Sequence, residues 1–208
     1  MSDLIDNPEG STPLNRDDMV GLKHRHVSNR EQLNELEAAN ILQGQMWVSR
    51  RKNLTIDVVF SRDFIVELHQ ALFGEVWTWA GSFRVRELNI GVAPHSISVA
   101  LLNFLEDAKL WIQYRHFNNL ELSARIQHRL VQIHPFVNGN GRHSRVFTDI
   151  VRIRLLQEPP CIWAHGALEN ITEERRSYIS GLRSADRGDF SELINYLENL
   201  GNTISLSE

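Results

Sequence analysis

A mainly α fold with one small β element is what the sequence predicts. Apolar residues recur at spacings of three and four along most of the chain, turn and capping residues sit where those stripes start and stop, and no βα alternation or internal repeat occurs. A length of 208 residues suits one domain with a small appendage.

Residues 1–27 read as an N-terminal arm, 28–200 as the domain and 201–208 as a tail. Ser28 followed by Glu31 has the form of a capping box, and Leu33, Leu36, Ile41 and Leu42 behind it predict a helix over 29–43. Arg50, Arg51 and Lys52 read as a solvated basic patch. After a cap at Ser61, Phe64, Ile65, Leu68, Leu72 and Phe73 mark a second helix that Gly74 stops. Trp77, Trp79 and Phe83 surround a Gly81 turn, and Arg84, Val85, Arg86, Glu87, Leu88, Asn89 and Ile90 read as an extended arm of a short hairpin. Leu101, Leu105, Ala108 and Ile112 form a third stripe. Asn119 starts a fourth helix through Leu122, Ile126, Leu130 and Ile133, and a fifth spans Arg142 to Leu156 before Pro159 and Pro160. Thr172 with Glu174, and Asp189 with Glu192, mark the starts of two final helices.

Composition excludes several classes of function. A net charge of -4 supplies no general field for nucleic acid or an anionic membrane. One cysteine, Cys161, permits neither an internal disulfide nor a CxxC pair or zinc ribbon, and a reducing cytoplasm fits that usage. The first residues lack the apolar stretch of a secretory signal, and no later run reaches the roughly 18 apolar residues of a membrane span. His24 and His26 have no carboxylate or cysteine at matching metal-ligand spacing and read as loop residues.

Chemistry concentrates between the fourth and fifth helices, in His134-Pro135-Phe136-Val137-Asn138-Gly139-Asn140-Gly141-Arg142-His143-Ser144-Arg145. Gly139 and Gly141 let an anion approach the backbone closely, just before a helix start whose N–H groups and dipole favour phosphate. Arg142 and Arg145 are three residues apart and share one face of the first helical turn. His134 ends the preceding helix, where an imidazole with a near-neutral pKa could take a proton from a hydroxyl. Phe136 reads as the loop's anchor in the core.

This run resembles the motif of the Fic (filamentation induced by cAMP) family, a His-x-Phe-x-acid-Gly-Asn-Gly-Arg-x-x-Arg segment joining two helices of an all-α bundle. Leu68 to Arg84 resembles that family's approach to a β-hairpin flap, and Tyr178 to Asp189 its downstream helix; the spacing and the Gly74 to Gly81 stretch look most like the short branch called mobile mystery protein B. The resemblance implies an enzyme, a protein adenylyltransferase that moves AMP from ATP to a Ser, Thr or Tyr hydroxyl of a target protein. It implies His134 as general base, Gly139, Asn140 and Gly141 as the anion hole for the α- and β-phosphates, Arg142 at the β/γ end and Arg145 at the γ-phosphate.

Magnesium is the implied cofactor, yet Asn138 stands where the family has a metal-holding acid, so its amide oxygen is the candidate ligand. The segment 84–90 would hold a target loop by main-chain pairing. Family members are often restrained by a glutamate that pairs with the second motif arginine, here Arg145; Glu37 is the candidate, on the predicted helix 29–43, and Glu198-Asn199 supplies half of the same pattern. The branch further implies a DNA-binding, antitoxin-like partner. Alternatives within the fold are transfer of UMP or phosphate, the second disfavoured by Arg142, or a nucleotide-binding regulator that does not turn over.

Overall fold

The computed structural model describes residues 15–161, 163 and 173–202. Their helices are α1 (Arg16–Val20), α2 (Arg30–Ser49), α3 (Ile56–Val59), α4 (Arg62–Phe73), α5 (Ile97–Gln113), α6 (Asn119–Ile133), α7 (Asn140–Val151), α8 (Glu173–Asp186) and α9 (Ser191–Asn202). Side chains explain most of the starting points: Asn15, Asn29, Thr55, Ser61 and Asn118 each accept a hydrogen bond from an N–H of the turn they open. The first long helix is therefore capped by Asn29, not Ser28. The Ser28 N–H instead donates to Gln32 Oε1 at 3.0 Å. This helix continues past residue 43 to Ser49, because Gly44 lets it lie close against α4 instead of ending it.

α7 begins at Asn140, two residues before the expected Arg142, and passes into a π-helical turn at Arg152–Leu156. Gln157 then turns left-handed before the two prolines. Thr172 lies outside the described residues, while Asp189 Oδ1 accepts from the Ser191 N–H as α9 starts.

α6 is the central element. Leu122, Ala124, Ile126, Leu130 and Ile133 are buried, and so are the polar Ser123, Gln127 and His128, because α5, α7, α8 and α9 all pack around it. Its polar groups find partners there: Gln127 donates to Ser144 Oγ and Tyr178 Oη and accepts from Thr148 Oγ1, joining α6, α7 and α8. Phe60, Phe64, Phe104 and Phe147 fill the main core with edge-on and tilted rings. A second core of Trp163, Tyr178, Ala185, Leu193 and Leu197 lies under α8 and α9.

The expected β-hairpin over 84–90 does not form. Among the described residues the β pairing is confined to two isolated bridges, Leu22 with Trp77 and Phe83 with Phe136. A hairpin needs a second strand, and the N–H groups of Arg84 and Val92 donate instead to the carbonyls of Pro135 and Ile133. The described part of the expected N-terminal arm is also packed. Lys23 N–H donates to the Val76 carbonyl, and Thr78 N–H to that of Gly21.

Candidate active site

His134 ends α6 in the left-handed region, at φ 52° and ψ 60°. That conformation costs a non-glycine residue on the order of 1–3 kcal/mol, and such strain gathers at functional sites. Pro135 follows and lacks the N–H that would continue the helix. Two partners hold the imidazole's position. The His134 carbonyl accepts from Arg84 Nε at 2.7 Å, and His134 Nδ1 lies 3.1 Å from the Val131 carbonyl. A carbonyl only accepts, so Nδ1 carries the proton and Nε2 is the basic nitrogen. Burial pushes the His134 pKa down to about 4, with the neighbouring Arg84 charge adding to the depression. The ring is thus neutral at pH 7 and a weaker base than the near-neutral histidine expected from sequence.

The loop beyond His134 is built around Phe136, which is fully buried and stacked on His69 with ring centroids 3.7 Å apart. Burying such a ring contributes roughly 1.5–3 kcal/mol. The Asn140 side chain closes the loop, accepting from the Phe136 N–H and donating to the Phe136 carbonyl, both at 2.9 Å. Any contact of Asn140 with an anion therefore falls to its backbone N–H. Gly139 sits at φ 76°, and a Cβ there would come within 2.7 Å of the Phe73 ring, so both the turn and the packing require glycine.

Gly139 also opens α7, and no side chain caps that helix, unlike α1 to α4 and α6. A first turn without a side-chain cap presents N–H groups suited to an anion. Arg142 and Arg145 both rise from this turn and meet different neighbours. Arg142 lies over the Phe73 ring, 5.0 Å from its centroid, and Nη1 donates to Glu37 Oε2 at 2.6 Å. The Arg145 Nη1 atom lies 3.8 Å from where a Gly141 Cβ would stand, and its guanidinium also bonds to Tyr178 on α8.

Glu37 is thus near the site as expected, but its guanidinium partner is Arg142 and not Arg145. The reason is the helix that carries it: on α2, Glu37 faces the turn that follows α4, where Trp77 Nε1 donates to its other oxygen at 2.7 Å. Asn138, the candidate metal ligand, turns its Oδ1 onto the Gly139 N–H at 2.7 Å. Among the described residues no group of three or more His, Cys, Asp or Glu side chains is placed to hold a metal ion. A neutral amide already bonded to its own loop does not fit a protein-held magnesium site.

Two residues carry more of this geometry than their sequence context suggested. Arg84, expected in a target-binding flap, is buried and acts as a brace: its three guanidinium nitrogens donate to the carbonyls of His134, Arg86 and Val92. Val85 beside it is 93% exposed, with Glu87 and Asn89 also exposed, Ile90 at the surface, and Arg86 and Leu88 half-buried. Arg86 is tied by its own guanidinium to Asp18 on α1. His69 was missed. Its Nδ1 accepts from the Gly81 N–H at 2.9 Å, so its Nε2–H donates to the Asn138 carbonyl at 3.0 Å. Burial, and then the nearby His143, hold its pKa well below the usual histidine value. The available signal was a histidine set inside the apolar stripe of Ile65, Leu68, Leu72 and Phe73.

Residues 59–151 match the model of the Fic/DOC family. The protein adenylyltransferase Fic of Drosophila melanogaster is similar to this chain at 29% identity over 139 residues, which are 64% of this chain and 26% of that protein. The chain thus spans well under half the length of that relative. Fic-1 from C. elegans superposes with a TM-score of 0.65 at 23% identity, covering 85% of this chain and 50% of that one. The BepC effector protein from Bartonella tribocorum, solved with bound AMPPNP, gives 0.62 at 14% identity over 93% of this chain and 94% of that one. These two likenesses are likenesses of fold. The family match falls on the segment that holds the motif loop and its brace, so it is this part of the chain that is similar to the Fic/DOC family.

Proposed function

We propose that the chain is a protein adenylyltransferase. The observation that carries this reading is the pairing of an α7 start without a side-chain cap, bearing Arg142 and Arg145, with a histidine at the head of the same loop whose Nε2 is its basic nitrogen. In this reading the backbone N–H groups of Asn140 and Gly141 receive the α- and β-phosphates of ATP, and that of Gly139 joins them when the Asn138 amide that now accepts from it turns away. Arg142 and Arg145 neutralise the β/γ end. The relative named an adenylyltransferase and the nucleotide analogue bound to BepC support ATP as the donor.

The target's Ser, Thr or Tyr oxygen attacks the α-phosphorus and its proton passes to His134 Nε2. The bond between the α-phosphorus and the bridging oxygen breaks, and pyrophosphate leaves with that electron pair. The rate then comes from positioning and charge neutralisation, as in other phosphoryl-type transfers. A base held at about pKa 4 by burial gains strength when the triphosphate's negative charge is beside it. No step is assigned to a protein-held magnesium ion; a divalent cation enters this reading only on the nucleotide's own phosphates. We also place the chain in the mobile mystery protein B branch, on the Gly74 to Gly81 stretch.

Incubation of the protein and a lysate with ATP labelled at the α- or the γ-phosphate tests the reaction. Label from the α-position on protein is the expected result. Label from the γ-position alone would mean a kinase, and no label from either would favour a binding regulator or another donor.

A further inference from the structure

Resting on the adenylyltransferase reading, we infer that Glu37 is a positioning residue that fixes the phosphate-binding guanidinium of Arg142, and not a plug that must leave for the nucleotide to enter. Its carboxylate is 5% exposed and has a partner on each oxygen: Trp77 Nε1 at 2.7 Å and Arg142 Nη1 at 2.6 Å. Trp77 is itself fully buried and stacked on Trp79. The guanidinium is held from a third side by the Phe73 ring.

A plug has to move, and α2 is poorly built for that. Three residues along from Glu37, the Asn40 amide donates to the Ala71 carbonyl at 3.1 Å and accepts from the Glu75 N–H at 2.9 Å. One turn further, a Cβ on Gly44 would stand 2.8 Å from the Ala71 carbonyl oxygen, so the two helices touch backbone to backbone. Withdrawing Glu37 would strand the Trp77 N–H and leave a partly buried guanidinium without its carboxylate, both costly. A guanidinium has five N–H donors, so a single carboxylate can orient it without using them all.

The two roles predict opposite signs. Glu37→Gln keeps an acceptor for Trp77 but sets an amide against Arg142, and it should raise the KM for ATP about tenfold or more with a smaller change in kcat. Trp77→Phe, which keeps the ring and removes the N–H, should shift the KM in the same direction by less. In an Arg142→Ala background, Glu37→Gln should add no further loss of ATP affinity, whereas a merely structural residue would still add its own. Increased automodification in Glu37→Gly, or an unchanged KM in both Glu37→Gln and Trp77→Phe, would overturn the inference. If Arg142→Ala weakens ATP binding and Glu37→Gln does not, the inference alone fails. If Arg142→Ala leaves ATP affinity unchanged, the phosphate role of Arg142 fails with it.

Discussion

The loop from His134 to Arg145 and the segment from Arg84 to Val92 lie against each other, joined by the Phe83–Phe136 bridge and two backbone hydrogen bonds. They use their polar residues differently. In the loop, side chains such as Asn140 and Asn138 are spent on holding backbone, while the α7 start carries two arginines and no side-chain cap. In the segment, the most buried residue is a cation, Arg84, whose guanidinium donates to carbonyl oxygens, beside a Val85 that is almost wholly exposed. An arginine in a motif and an arginine in a brace look alike in sequence. What separates them is what their donors meet: Arg84 meets three backbone carbonyls, whereas Arg142 meets a carboxylate beside a helix start.

The largest expected effect breaks the loop's side of this comparison. His134→Ala should cut the transfer rate about 10²–10⁴-fold while leaving ATP affinity nearly unchanged, as measured by α-label incorporation and calorimetry. The segment's side is tested by a neighbouring pair. Arg84→Ala should cost about 2–4 kcal/mol of stability by denaturant titration, because it leaves buried carbonyls unpaired, and Arg84→Lys should not restore the fork. Val85→Ala, one residue away, should stay within about 0.5 kcal/mol. Equal effects at 84 and 85 would remove the brace.

Acidification gives a smaller and more distributed effect. His134 at about 4, His143 at about 3 and His69 well below 6.5 are all depressed by burial, so the unfolded chain binds protons first as pH falls. Their contribution is complete above the unfolded value of 6.5 and is lost as pH falls toward the folded values. Asp149 opposes this. Burial raises it to about 7, so its contribution is complete below 3.8 and is lost as pH rises through 7. Three histidines against one carboxyl predict a melting temperature that drops between pH 6.5 and 4, and drops further in Asp149→Asn. A flat profile would contradict the buried neutral rings. The smallest effect concerns Asn138→Asp, which supplies a carboxylate beside the phosphates and should lower the magnesium concentration needed for half-maximal transfer.

The helices were legible because capping residues and apolar stripes are local: Ser61 and Gly74 bound α4 as the sequence indicates. The motif loop was legible because glycines, arginines and a histidine in one short run answer an anion's needs. The brace was not, since the run from Arg84 to Ile90 reads as an extended arm whatever its N–H groups pair with. The partner of Glu37 was misread for a different reason. Glu37 and Arg142 are 105 residues apart, and which motif arginine faces α2 depends on how α4 seats both helices. His69 shows the same limit, because a histidine in an apolar stripe gives no hint of which carbonyl it will meet.

The most direct test of the account is a crystal structure of the protein with a non-hydrolysable ATP analogue. The account predicts phosphates within hydrogen-bond distance of the Gly139, Asn140 and Gly141 N–H groups and of both Arg142 and Arg145, with the α-phosphorus on the side of His134 Nε2. A nucleotide bound away from the start of α7, or with its α-phosphorus turned from His134, would contradict it.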